Sequence, residues 1–177
     1  AKHILTDKKN MLEVGAGISA YMIKYLVKQG WEAMAQEPSL EYSEVLKNAI
    51  PSLQVSNDSF LDMKTDEKYS LIYIDSVLEH VVNPTEYLKK AINLLDEGGI
   101  LYFISHNEYS FKNWARTMIN KLRGKYVTYL CPYTMSYHLI GFSKKGINIM
   151  AQQSGLELLK IIRGHDYEWY HLINSKK

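Results

Sequence analysis

A chain of 177 residues fits a single domain, and its 46% of hydrophobic residues are enough to cover both faces of a central sheet. Lys and Arg total 21 against 19 Asp and Glu, so the formal net charge of +2 supplies no global field for wrapping nucleic acid, and a nucleic-acid partner is not expected. Cys131 is the lone cysteine, which excludes an intrachain disulfide and a cysteine-rich zinc site and makes a reducing, cytoplasmic setting the default; no apolar run reaches the roughly 18 residues of a membrane helix and no secretory pattern follows Ala1, so a soluble protein without a membrane partner is expected.

Strand and helix patterns alternate from Asn10 to about Ser105, which predicts a parallel sheet with crossover helices. The first strand, Asn10 to Val14, runs straight into Gly15-Ala16-Gly17. Without Cβ atoms the two glycines let the backbone turn sharply and let a ligand lie against the peptide groups, while amides at the start of the next helix face it. That helix is expected from Ser19, as its cap, to about Gln29, with Gly30 as its stop. A second strand, Trp31 to Gln36, ends at Glu37, whose carboxylate stands where it can hold a ribose by its two hydroxyls. Pro38-Ser39 then opens a helix through about Asn48, with Tyr42, Val45, Leu46 and Ala49 at helical spacing, and Pro51 breaks it. A short third strand, Leu53 to Val55, exits into Ser56-Asn57-Asp58, and a fourth, Tyr69 to Ile74, exits at Asp75.

Asn83-Pro84-Thr85 opens a helix through about Asp96, whose buried stripe is Tyr87, Leu88, Ala91, Leu94 and Leu95. Glu97-Gly98-Gly99 turns into a fifth strand, Ile100 to Ser105. From Asn107 to Phe142 the alternation lapses into an aromatic-rich insert with an amphipathic segment, Phe111 to Leu122; it reads as a lid or substrate wall, with ordinary packing as the alternative. Within it, the basic cluster Lys121, Arg123, Lys125 reads as a solvated helix end. Ser143-Lys144-Lys145-Gly146 then opens a helix to Ser154, and Leu156 to Ile162 and about Glu168 to Ile173 read as strands whose short link predicts antiparallel pairing. Open α/β sheets bind ligands outside the carboxyl ends of their strands, so Gly15, Glu37, Asp58 and Asp75 are expected on one rim. The glycine loop alone, which with Ala20 satisfies G-x-G-x-x-A, leaves a nicotinamide or flavin site open.

Two segments, Val77 to Pro84 and Leu94 to Gly99, decide the cofactor, because a nicotinamide site requires neither. Leu12-Glu13-Val14-Gly15-Ala16-Gly17, Glu37-Pro38-Ser39, Asn57-Asp58, Tyr69-Ser70-Leu71-Ile72, Val77-Leu78-Glu79-His80-Val81-Val82-Asn83-Pro84, Leu94-Leu95-Asp96-Glu97-Gly98-Gly99-Ile100-Leu101, His138 to Phe142-Ser143 and Ser154-Gly155-Leu156 resemble class I S-adenosylmethionine-dependent methyltransferases over nearly the whole chain. The likeness is to the small-molecule branch that includes ubiquinone-biosynthesis O-methyltransferases. It implies an α/β, Rossmann-like, mostly parallel seven-stranded sheet with helices on both faces and an antiparallel last strand, in one domain over residues 1–177 with an insert at about 107–142. Two departures stand out: Ser19 replaces a third glycine, and only about ten residues precede the first strand where relatives carry helices that roof the substrate pocket. A shortened chain, or a pocket completed by another subunit or domain, is the expectation that follows.

The resemblance implies that Glu13, Gly15, Ala16 and Gly17 line the methionine part of S-adenosylmethionine, that Glu37 beside Pro38 binds the ribose, that Asp58 beside Asn57 accepts from the adenine amino group, and that Asp75 and Ser76 border the methionine end. Carboxylates and tyrosine faces near a cationic sulfonium favour it on physical grounds too. Methyl transfer is a direct displacement that needs alignment and exclusion of water, and a hydroxyl acceptor also gains from a base, for which His106 and then His138 are the candidates. His80 and Glu79 read as structural. No resident metal is expected: ubiquinone-type relatives hold a divalent cation with an acidic residue beside the Glu-His pair, Ser76 takes that place here, and Asp75, Glu79 and His80 are the remaining possible ligands. The leading expectation is methylation of a small-molecule acceptor, a hydroxyl of a sugar or related metabolite, leaving S-adenosylhomocysteine. The alternatives are N-methylation of a small amine or of RNA, and a catalytically idle cofactor-binding module.

Overall fold

The computed structural model describes residues 7–106, 111–125, 138–163 and 167–174. Period-two alternation along the strands decides its layering, since successive side chains leave opposite faces of a pleated strand. In β1 (Asn10–Val14), Leu12 and Val14 join one apolar cluster and Met11 the other; in β4 (Tyr69–Asp75), Ile72 and Ile74 face the first and Leu71 and Tyr73 the second. Both faces are therefore buried. Helices α3 (Pro84–Leu94) and α5 (Lys144–Gln153) supply Leu88, Ala91, Ile147 and Met150 to the first cluster, and α1 (Tyr21–Val27) and α2 (Leu40–Ala49) supply Ile23 and Leu46 to the second.

With β2 (Glu32–Gln36), β3 (Gln54–Ser56), β5 (Leu95–His106), β6 (Leu156–Arg163) and β7 (Tyr167–Asn174), the sheet order is β3-β2-β1-β4-β5-β7-β6. Among the described residues, parallel pairing is confined to five strands, β3 to β5 in that order, and β7 joins β5 and β6 through antiparallel ladders. The expected mostly parallel sheet is thus parallel over five strands; the link between β6 and β7 is too short for a crossover. β5 begins earlier than expected because Leu95 already pairs with Tyr69, after which the register jumps to Leu71 opposite Ile100. The extra residues include Gly98 at φ +72° and Gly99, where a Cβ would stand 3.0 Å from the carbonyl oxygens of Asp96 and Tyr69.

Capping follows local rules in α2, α3 and α5 and a longer-range one in α1. Ser39, Asn83 and Ser143 accept the N–H groups of Tyr42, Glu86 and Gly146 at the starts of α2, α3 and α5. Ser19 does not cap α1, which begins at Tyr21 after Ala20 in the left-handed region at φ +37°. Instead, the Glu13 carboxylate, reaching from β1, accepts the Ile23 N–H at 3.1 Å, and so does a cap's work at the third helical position. Of the expected insert at 107–142, α4 (Phe111–Leu122) and the segment from His138 are described, and 107–110 and 126–137 lie outside the described residues. Among the described residues, no helix is long and apolar enough to cross a membrane.

Candidate functional site

The loop after β1 has the backbone its glycines predict. Gly15 and Gly17 adopt φ +65° and +56°, and a Cβ on Gly15 would stand 2.5 Å from Val77 Cγ2. Loop and second strand are tied by amides: Gly15 N–H donates to the Gln36 carbonyl at 2.8 Å and to Gln36 Oε1 at 3.1 Å, and Ala16 N–H to the same carbonyl at 3.1 Å. Glu37 is buried, and its two oxygens accept Gly17 N–H and Ser39 N–H, each at 2.8 Å. Its carboxylate is thereby oriented at the carboxyl end of β2, with Pro38 exposed beside it.

Beyond β3, Asn57 Nδ2 donates to the Glu37 carbonyl and Gln36 Nε2 to the Asp58 carbonyl, both at 2.8 Å. The Asp58 carboxylate is exposed, and its Oδ2 accepts the Ser56 hydroxyl at 3.3 Å. At the end of β4, Asp75 accepts the Ser76 hydroxyl at 2.9 Å and the Tyr73 hydroxyl at 3.1 Å, and Ser76 itself lies at φ +54°. Tyr73 stacks on Tyr102 with ring centroids 5.5 Å apart. Burial raises both phenols' pKa values, and the Asp75 carboxylate adds to the effect. Glu13, 4% exposed beneath the loop, is pushed up to about 7 by burial, against the pull of its Ile23 hydrogen bond and with the Asp75 charge raising it further.

A second group forms where the described part of the insert returns to the sheet. Glu79, in the 3-10 turn Leu78–His80, accepts the N–H groups of Leu139 at 2.7 Å and Ile140 at 3.3 Å through its backbone carbonyl. This stitches buried His138 beside exposed His80, their rings edge to face at 5.0 Å. Ligating atoms of Glu79, His80 and His138 all lie within 4.8 Å of one another. Both Glu79 carboxylate oxygens are buried, with no hydrogen-bond partner among the described residues beyond the weak approach of the residue's own backbone N–H; burial raises this group's pKa, against the pull of that N–H and of the two imidazoles. The trio that converges thus contains His138 rather than Asp75, which the sequence left as a possible ligand though it led to no expected metal. His106 ends β5, and its side chain lies outside the described residues.

Gly15, Glu37, Asp58 and Asp75 all follow or end strands β1 to β4 on one edge of the parallel sheet, as an α/β ligand rim requires. A cavity of about 760 Å³ opens at the opposite edge, among Asn10, Glu32, Gln54 and Tyr69 where those strands begin, and it contains none of the rim residues. Sequence reasoning missed Gln36, which bonds to both loops. The available signal was a polar side chain in the last position of a strand enclosed on both faces.

A family model described as a methyltransferase domain matches residues 2–161. Over 180 aligned residues the chain is 25% identical to a protein of Coxiella burnetii named ubiquinone biosynthesis O-methyltransferase, covering 99% of this chain and 73% of that protein. A protein of the same name from Histophilus somni is 29% identical over 125 residues, 65% of this chain and 51% of that one. Among solved structures, a methyltransferase of Haloferax volcanii in complex with the Trm112 methyltransferase activator has a TM-score of 0.74 at 12% identity, covering 99% of this chain and 88% of that chain. The N-methyltransferase NodS of Bradyrhizobium japonicum, in complex with S-adenosyl-L-homocysteine, has a TM-score of 0.68 at 15% identity, covering 95% and 79%. At those identities the structures speak for the fold.

Proposed function

This chain belongs to the methyltransferase domain family and is an S-adenosylmethionine-dependent methyltransferase, and from that premise we propose that it methylates a hydroxyl oxygen of a sugar or related small metabolite. The rim carries the cofactor half of the reading. Glu37 receives the ribose hydroxyls on the lone pairs its two backbone partners leave, Asp58 with Asn57 receives the adenine amino group, and Gly15, Ala16 and Gly17 allow the methionine arm to lie against the backbone. Asp75 and Ser76 border the sulfonium end, with the Glu13 carboxylate enclosed behind the loop.

The observation that supports an oxygen acceptor is the placing of His138 against His80 and the buried Glu79 carboxylate. A hydroxyl attacking the methyl carbon must lose its proton as the new C–O bond forms and the C–S bond breaks. His138 takes that proton, with His106 at the exit of β5 as the other candidate base. Elsewhere the protein's work is alignment and exclusion of water, in which the segment 107–142 acts as cover. The curated relatives named O-methyltransferases support the same acceptor atom. A protein partner belongs to this reading, and the Haloferax relative's complex with the Trm112 activator supports it.

A second reading is favoured by the orphaned Glu79 carboxylate. Oxygen and imidazole nitrogen donors suit a divalent cation such as zinc or manganese, so Glu79, His80 and His138 together fit one. When bound, such an ion lowers the pKa of a hydroxyl group that it coordinates. The test is transfer of labelled methyl from S-adenosylmethionine to a panel of sugars, phenols and amines, with and without chelator. The proposal expects label on oxygen and turnover lowered at least about 100-fold in His138→Ala or His106→Ala with S-adenosylhomocysteine affinity kept. Label confined to nitrogen, or full turnover of a hydroxyl acceptor by both variants, would reject it; loss of activity on chelation favours the cation.

A further inference from the structure

Gln36 is the last residue of β2, the strand between β1 and β3, and it is 2% exposed. A buried amide costs free energy unless its donor and its acceptor are both satisfied. Here both are, toward opposite neighbours: Oε1 accepts Gly15 N–H at 3.1 Å and Nε2 donates to the Asp58 carbonyl at 2.8 Å. One side chain therefore spans from the glycine loop after β1 to the turn after β3. The Asp58 carboxylate is exposed and its Oδ2 is bonded within its own turn by Ser56; Ser56 is tied to the end of β2 by the Glu37 N–H and Asn57 by its own amide, and the tie that reaches Asp58 itself is the one from Gln36.

We propose that Gln36 is a positioning residue that gives the cleft its preference for a purine bearing a six-amino group, by fixing the backbone from which Asp58 reaches. The inference rests on the adenine role assigned to Asp58 above. An amide carries a donor and an acceptor on one plane, which is what the two loops require of this position. Glutamate keeps an acceptor for Gly15 but sets a second oxygen against the Asp58 carbonyl. Methionine keeps the length and supplies neither bond. In both variants the Asp58 carbonyl loses its bond from Gln36 while the turn stays held at Ser56 and Asn57, so the end of the turn that carries the carboxylate no longer meets the purine edge at a fixed height.

Calorimetric titration with S-adenosylhomocysteine and with S-inosylhomocysteine, which carries an oxygen in place of the amino group, reads this directly. Wild type should prefer the adenosyl ligand by about tenfold or more, the worth of one well-placed hydrogen bond to a charged group, and Gln36→Met and Gln36→Glu should reduce the ratio to under about threefold, as Asp58→Ala does. A role confined to stability would lower the melting temperature and leave the ratio alone, so an unchanged ratio in a folded variant overturns the inference. Gln36→Asn, which keeps both groups but shortens their reach, gives the same reading should the other two not fold. Equal affinity of wild type for the two ligands would also overturn the inference while leaving the cofactor site in place. Failure of wild type to bind S-adenosylhomocysteine at all would instead remove the cofactor assignment on which it stands.

Discussion

Replacing Glu13 by glutamine removes a buried ionisable group and leaves an oxygen for the Ile23 N–H. Burial pushes this carboxyl from its ordinary 4.5 to about 7. A gap of about 2.5 pH units, at about 1.4 kcal/mol each, corresponds to about 3.5 kcal/mol of pH-dependent stability. The sign follows from proton counting. Between those two pH values the folded protein keeps a proton that the unfolded chain has released, so this contribution is complete below about pH 4.5 and is lost as the pH rises through 7. Urea unfolding of both proteins, without cofactor, at about pH 5 and about pH 8 isolates the effect: Glu13→Gln should gain roughly 2 to 3 kcal/mol on wild type between the two conditions. Glu79 is also raised by burial but is common to both proteins and cancels in the comparison. Stability curves that stay parallel to within about 0.5 kcal/mol would show that Glu13 is solvated or paired in the folded state, and the account of its burial would fall.

Two further outcomes follow from the same site. Gly15→Ala should destabilise the protein by about 1 to 3 kcal/mol in urea unfolding, from the left-handed φ and the approach to Val77 together, and Gly15→Ala/Val77→Ala should recover the steric part but not the backbone part; full recovery would mean that the positive φ costs nothing. Glu37→Ala should weaken S-adenosylhomocysteine binding about 100-fold by calorimetry, if the ribose sits on this carboxylate as proposed, because the change also frees the Gly17 and Ser39 amides that it bonds; an unchanged dissociation constant would place the ribose elsewhere.

Much of the site can be read from neighbouring residues alone. The turn at Gly15 and Gly17 was legible because a left-handed backbone is open to few residues, whereas the bonds of Glu37 to the Gly17 and Ser39 amides were not, since one of them joins segments twenty residues apart. Ser39, Asn83 and Ser143 were legible for the same kind of reason, since each cap bonds an amide three residues ahead. The segment Phe111–Leu122 forms the helix its apolar spacing predicts. Ser19 misled because its short-range signal resembled a cap while a carboxylate from the neighbouring strand already held the helix start.

The amino-acid sequence by itself determined which strands alternate, where the chain turns, which polar groups stand at strand exits and to which family the whole resembles. These properties depend on chain stereochemistry and on spacing over a few residues, so they survive without knowledge of the fold. Tertiary structure alone decided that Gln36 joins the Gly15 and Asp58 loops, that Glu13 is enclosed against α1, and that His138 comes to rest beside Glu79 and His80. Each depends on the order and pitch of adjacent strands or on a carbonyl accepting amides from a distant segment. Such contacts are settled only when the sheet closes, because burial then obliges every enclosed polar group to find whichever partner lies within reach.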